Sequence, residues 1–244
     1  QDFSGLDDPL ITDRPDFTES TDTVPLGHFQ LEGGFTSTRV DDEDSRSLGE
    51  LLLRVGLSDR LEARIGAGSH TRIDGPGGDV SGYEDPSLGV KIRLSPETEM
   101  LPPLRPTVAL ILATSVPVGD DELTSDEWVP EAKLGFSWAL TERFGLATNL
   151  NWAYPPGGGG GGDDRFHQFS GSLSGALSFT DRIGGYLEYF GFTEEEEGGP
   201  GTHYLNTGVT YLISNDLQLD LRYGRGLNDP DPDDFVGIGA SVRW

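Results

Sequence analysis

The chain of 244 residues contains no cysteine, which excludes a disulfide framework and a thiolate metal site. Its four histidines leave little from which to build a zinc centre. Basic residues are scarce: 17 Lys and Arg stand against 42 Asp and Glu, a formal charge of −25. Phosphate backbones are held by Lys and Arg, so nucleic acid is excluded as a partner. Long apolar runs are missing as well. VALILA at 108–113 has the length of a strand, and nothing approaches the roughly 18 apolar residues of a membrane-spanning helix. The chain begins at Gln1 with no basic and apolar leader, which reads as an exported protein whose signal peptide has been removed.

What is present is a repeated turn. LSDRL (57–61), LTERF (140–144), FTDRI (179–183) and ISNDL (213–217) each place a polar triplet between two apolar residues. Between these turns apolar and polar residues alternate with a period of two, the signature of a strand with one apolar face. In FSGSLSGALSF, Phe169, Leu173, Leu177 and Phe179 share one parity, while Ser170, Ser172, Ser174 and Ser178 share the other. DLQLDLRY sets Leu217, Leu219, Leu221 and Tyr223 against Asp216, Gln218, Asp220 and Arg222. About twelve such strands of roughly 10 to 13 residues are predicted, a length that crosses a membrane at a tilt.

The connections alternate between short turns and longer polar ones rich in Gly, Pro and Asp. The expected fold is therefore all-β: a closed antiparallel transmembrane β-barrel of about twelve strands, with short periplasmic turns and long acidic extracellular loops. Residues 1–26 are expected to form a periplasmic N-terminal segment or partial plug, with Arg14 and Asp16 as its candidate contact residues, and 27–244 the barrel. A soluble sandwich or lipocalin-like barrel alternates too, but the polar face here is dominated by Gly, Ser, Ala and Asn, which suits a narrow lumen. Trp128, Trp138, Trp152, Tyr154, Tyr223 and Trp244 fall where interfacial girdles belong.

Thirteen charged residues lie on the parity opposite the apolar face: Glu32, Glu50, Arg54, Glu62, Arg64, Lys91, Arg93, Glu131, Lys133, Glu188, Asp220, Arg222 and Arg243. These are the candidate lumen-lining residues. Their mixed signs allow two functions, a salt-bridged lining that braces the wall or a polar constriction that filters solutes. The excess acid gathers in DDED (41–44), GDDELTSDE (119–127), EEEE (194–197) and NDPDPDD (228–234), all expected in long loops. Asp229, Asp231 and Asp233 alternate as calcium ligands can, but the glycine and terminal glutamate of an EF-hand are absent. Divalent cations at these loops are the weak candidate partners, and no cofactor is expected. GGGGGG at 157–162 reads as a flexible loop tip.

Catalysis has little to stand on. A hydrolase needs a Ser and a His within reach, oriented by a third group. His70 is expected on the inward parity near a loop, His28 at the start of the first strand, and His167 and His203 at loop edges, none with an evident Ser partner. No enzymatic activity is expected.

Three stretches carry a resemblance: ITDRPDFTESTDTVPLGHFQLEGGF (11–35), GYEDPSLGVKIRL (82–94) and YLNTGVTYLISNDLQLDLRYGRGLNDPDPDDFVGIGASVRW (204–244). Together with LATSVPVGDDE (112–122), they resemble the outer-membrane barrel family named for the MetA pathway of phenol degradation. The resemblance implies an outer-membrane channel or transporter for small solutes, hydrophobic or aromatic in character, crossing by passive diffusion. A non-conducting scaffold barrel that anchors partners is the alternative. The implied surroundings are outer-membrane lipid and lipopolysaccharide. The terminal aromatic Trp244 is similar to the signal read by the barrel-assembly machinery.

Overall fold

The structure, a computed structural model, describes residues 6–40, 43–95, 105–157, 164–228 and 234–244. It contains fourteen strand segments. The first six are β1 (Phe29–Val40), β2 (Glu43–Ser58), β3 (Leu61–Gly66), β4 (His70–Asp74), β5 (Val80–Tyr83) and β6 (Ser87–Arg93). Then follow β7 (Thr107–Ser115), β8 (Pro130–Ala139), β9 (Phe144–Ala153) and β10 (Gln168–Ser178). The last four are β11 (Ile183–Phe192), β12 (Thr202–Ser214), β13 (Leu217–Gly226) and β14 (Asp234–Arg243). All pairings are antiparallel, and β1 pairs with both β2 and β14, so the sheet closes on itself. Segments β3 and β4 both pair with β2, and they form one interrupted strand. Segments β5 and β6, which pair with β4 and β3, form another, which makes a closed antiparallel barrel of twelve strands.

The polarity of this barrel is inverted relative to a water-soluble protein. Among its fully buried side chains are Arg54, Lys91, Gln30, Glu32, Glu62 and Glu188, whereas Leu150, Ile238, Leu187 and Leu173 are more than half exposed. An exposed apolar band around a buried polar interior fits a hydrocarbon exterior, where leucine costs nothing and every backbone group must find its partner inside the sheet. No helix among the described residues is long and apolar enough to cross a membrane, so crossing falls to the strands.

Three details depart from the sequence expectation. DDED is not a long loop: Glu43 and Asp44 already pair with Val40 and Arg39 in the β1–β2 hairpin, and Arg39 Nε donates to Asp44 at 2.9 Å. At 16 residues, β2 also exceeds the expected strand length. It carries a bulge near Gly49 and Glu50, both with positive φ, where the register with β1 shifts. The extra residue lets Leu48 and Leu51 both point outward despite their odd spacing.

The third departure is the break in two neighbouring strands at 67–69 and 84–86. Pro86 has no N–H to give the ladder. Gly68 lies so close to the Glu84 carbonyl that a Cβ would collide with it. Alternation changes phase across the break. Glu62 and Arg64 are buried in β3, but in β4 the buried residue is Thr71. His70 consequently pairs with Leu48 and Tyr83, both exposed, and lies on the outer face, not the inner one.

Beside this break, the 116–129 connection is tied down by one carboxylate. Asp85 accepts from Val118 N, Gly119 N, Ser125 N and the hydroxyls of Thr124 and Ser125, at 2.7–3.1 Å. Asp120 returns the contact by accepting from Tyr83 N at 2.6 Å. Asp229, Asp231 and Asp233, most of the hexaglycine and most of the Pro-rich connection SPETEMLPPL at 95–104 lie outside the described residues. No cluster of metal-ligating side chains occurs among the described ones.

Candidate functional site

Residues 6–28 run against the inner face of the wall. Near the short-turn end, Leu10 N donates to Asn215 O, the Asn215 amide donates to Asp7 O, and Arg243 donates to Asp8 O. Further in, Ile11 O accepts from Gln30 and Arg54, and the Asp13 and Arg14 backbone amides both donate to Glu32. The chain returns at Val24, whose N–H donates to Glu62 at 2.8 Å, and a turn closed by His28 N and Pro25 O leads into β1. The polar sequence ITDRPDFTES has no ladder to join, so side chains of the wall satisfy its backbone groups instead.

Charge pairing organises the contact. The Asp13 carboxylate is 2.6 Å from Arg64 and 2.8 Å from Lys91, with Arg54 at 3.5 Å. Arg54 in turn contacts Glu32 and Glu62, each at 2.9 Å. Glu19 bridges Arg64 and Lys133, both at 2.6 Å, and Glu131 stands 3.9 Å from Lys133. Arg14 reaches Glu50 at 2.5 Å and Asp220 at 3.4 Å, while Arg222 lies 3.7 Å from Glu50 and donates to Pro15 O. Arg93 pairs with Asp22. Buried charges such as Arg54, Glu32 and Glu62 are tolerable only when paired, and here each cation meets a carboxylate from the segment or the wall.

Of the thirteen wall residues singled out in the sequence, eleven thus pair within this network, Glu188 enters it by hydrogen bonds, and Arg243 sits apart at the short-turn end on Asp216. Glu188 accepts from Phe17 N, Thr18 N, the Thr18 hydroxyl and the Asn206 amide. Asp16 accepts from Ser174 at 3.1 Å. Sequence reasoning missed Asp13, Glu19 and Asp22. The available signal was the distribution of cations: Arg54, Arg64, Lys91, Arg93 and Lys133 crowd β2 to β8, and the acids of the segment answer them. Strands β9 to β12 offer no inward cation, only side chains such as Asn149, Ser172, Ser174 and Asn206.

The asymmetry has a steric counterpart. The segment's ion pairs gather on the cationic half of the wall, Phe17 and Thr18 are held by Glu188 of β11, and a cavity of 1140 Å³ lies between the segment and β8–β12 at the short-turn end. Leu10, Ile11, Pro15 and Asp16 line one side, and Ser174, Ala176 and Tyr186 are on the other. Higher up, Phe17 stacks on Phe190 with ring centroids 4.5 Å apart, and Phe190 stacks on Tyr204 at 4.8 Å. Four of the six expected girdle residues are in stacked pairs, Trp138 with Phe136, Trp152 with Tyr154, and Trp244 with Phe29. His70, His167 and His203 sit in ring contacts, where Trp152 donates to His167 and the Tyr189 hydroxyl meets His203.

No functionally curated protein matches the chain in sequence. Solved structures share its fold. An outer membrane channel from Pseudomonas putida F1 superposes with a TM-score of 0.68 at 15% identity, over 92% of this chain and 98% of that one. The KdgM porin, in complex with disordered oligogalacturonate, gives a TM-score of 0.56 at 7% identity, over 87% and 98%. The transport unit of the autotransporter AIDA-I from Escherichia coli gives 0.52 at 11%, over 88% and 89%. A closed barrel of this kind belongs in the outer membrane. Residues 12–244 match the family described as "Putative MetA-pathway of phenol degradation", and the chain is a member of that family of outer-membrane β-barrels.

Proposed function

We propose that this channel passes small hydrophobic or aromatic solutes by diffusion along the side of the barrel that residues 6–28 leave open, with those residues acting as a plug. The short turns face the periplasm in this reading, so the segment enters the lumen from the periplasmic side. One observation carries it: the segment's ion pairs gather on the cationic half of the wall, while the 1140 Å³ cavity borders the half lined by small residues. A cavity of that size, part apolar and part polar, takes a substituted ring readily. The phenol-degradation description of the family supports the same solute class.

Acidic loops at the outer mouth would raise the local concentration of cations at low salt. That preference fades as the Debye length shrinks from about 30 Å at 0.01 M to about 3 Å at 1 M. The test is solute entry into liposomes bearing the purified protein, with and without residues 1–26. Entry of phenol faster than in protein-free liposomes supports the channel. If neither form conducts ions or admits solute, the barrel is a scaffold, a reading favoured by the density of ion pairs between segment and wall.

A further inference from the structure

We infer that the cavity at the short-turn end is a binding site for a small organic cation with an aromatic or branched apolar body, and that Asp16 supplies its counter-charge. Asp16 lies on the cavity wall and accepts a hydrogen bond from the Ser174 hydroxyl. The other acids between 13 and 22 each have a cation: Asp13 has Lys91, Glu19 has Lys133 and Asp22 has Arg93. Asp16 has none among the described residues. Glu188 on this side of the barrel has no ion pair among them either, and its oxygens are taken up by amides and a hydroxyl. This half of the interior therefore holds two carboxyl groups with no ion pair among the described residues.

A carboxylate drawn away from bulk water gains most from a charge-assisted hydrogen bond, which a ligand ammonium can give. Leu10, Ile11, Pro15 and Tyr186 on the same cavity provide contact for an apolar body. The cavity's arginines do not contradict this. Arg14 is engaged by Glu50 and Asp220, and Arg105 is exposed to solvent, where its field is screened. The inference deepens the channel reading by naming what the pathway selects, yet the site itself requires no transport.

The experiment uses full-length protein in detergent micelles at neutral pH and low salt. Benzylamine, benzyl alcohol and benzoate are each titrated calorimetrically. A charge-assisted contact predicts that benzylamine binds about ten- to a hundredfold more tightly than benzyl alcohol. Asp16→Asn should bring benzylamine down to the affinity of the alcohol and leave the alcohol unchanged. Equal affinities of amine and alcohol for the unmodified protein overturn the inference, whether or not the variant folds. Tighter binding of benzoate also overturns it and makes the arginines the recognising groups. An amine preference that survives in D16N does the same. Liposome uptake separates the two readings: amine bound but never transported fails the channel and keeps the site, whereas alcohol transported without any amine preference fails the site and keeps the channel.

Discussion

The Asp13 carboxylate stands 2.8 Å from the ammonium of Lys91, 78 residues further along the chain and fully buried. The contact joins the segment to the wall where Arg64 and Arg54 also converge. Removing one partner of a buried pair costs about 3–5 kcal/mol, because the other charge is left buried alone. Asp13→Asn should therefore release the segment before it unfolds the barrel. The expected result is faster amide exchange over residues 11–22 and higher ion conductance, with the strand amides still protected. Unchanged exchange and conductance would show that the segment is held by its other contacts.

Gly56 offers a route to the same opening without touching charge. A Cβ there would run into the carbonyl oxygens of Val24 and Pro25, where the segment turns into β1. Gly56→Ala should push 24–25 off the wall and raise conductance in planar bilayers, while heat-dependent mobility on gels still reports a folded barrel. A variant with wild-type conductance would mean that the turn adapts in place.

The outer-loop clasp has a definite pH window. Burial alone would raise the Asp85 carboxyl, but hydrogen bonds from the Ser125 and Gly119 amides and the Thr124 and Ser125 hydroxyls outweigh it and bring it down to about 2. Because the folded value is depressed, the clasp contributes stability above the ordinary carboxylate range and loses it as pH falls through about 2. The Gly119 and Ser125 amides should stay protected at mildly acid pH. Asp85→Ala should expose them at neutral pH, and fast exchange of both in the unmodified protein at neutral pH would refute the clasp.

Strand parity is testable at a single pair. Leu219 is 42% exposed and Asp220 is 4% exposed on the same strand. Spin labels should find oxygen-accessible lipid at Leu219 and an immobilised interior at Asp220. An arginine at Leu219 should cost about 2–4 kcal/mol if the position lies near the bilayer midplane. A label at Leu219 that contacts water would put the register wrong.

Much of the fold was legible because a strand has a period of two and a membrane barrel has only two environments. FSGSLSGALSF states its own faces: Leu173 and Leu177 are exposed, while Ser172 and Ser174 are buried. The same alternation placed the strands on either side of LTERF and its relatives. It failed where the chain gains or loses phase. The bulge at Gly49 and Glu50 and the break at 67–69 turn later residues to the opposite face, and that is why His70 lies outside. Phase errors of this kind leave no mark in a pattern that is regular on both sides of them.

The sequence by itself determined the barrel, because alternation, turn spacing and the lack of any spanning helix are local properties that need no knowledge of partners. Only the tertiary structure decided which charges meet. Asp13, Glu19 and Asp22 reach Lys91, Lys133 and Arg93 across 71 or more positions, inside a lumen whose walls exist only once β1 closes against β14. The physical reason is the range of the interaction: a strand's faces follow from neighbours two residues apart, whereas an ion pair in the lumen depends on how the whole sheet closes around it.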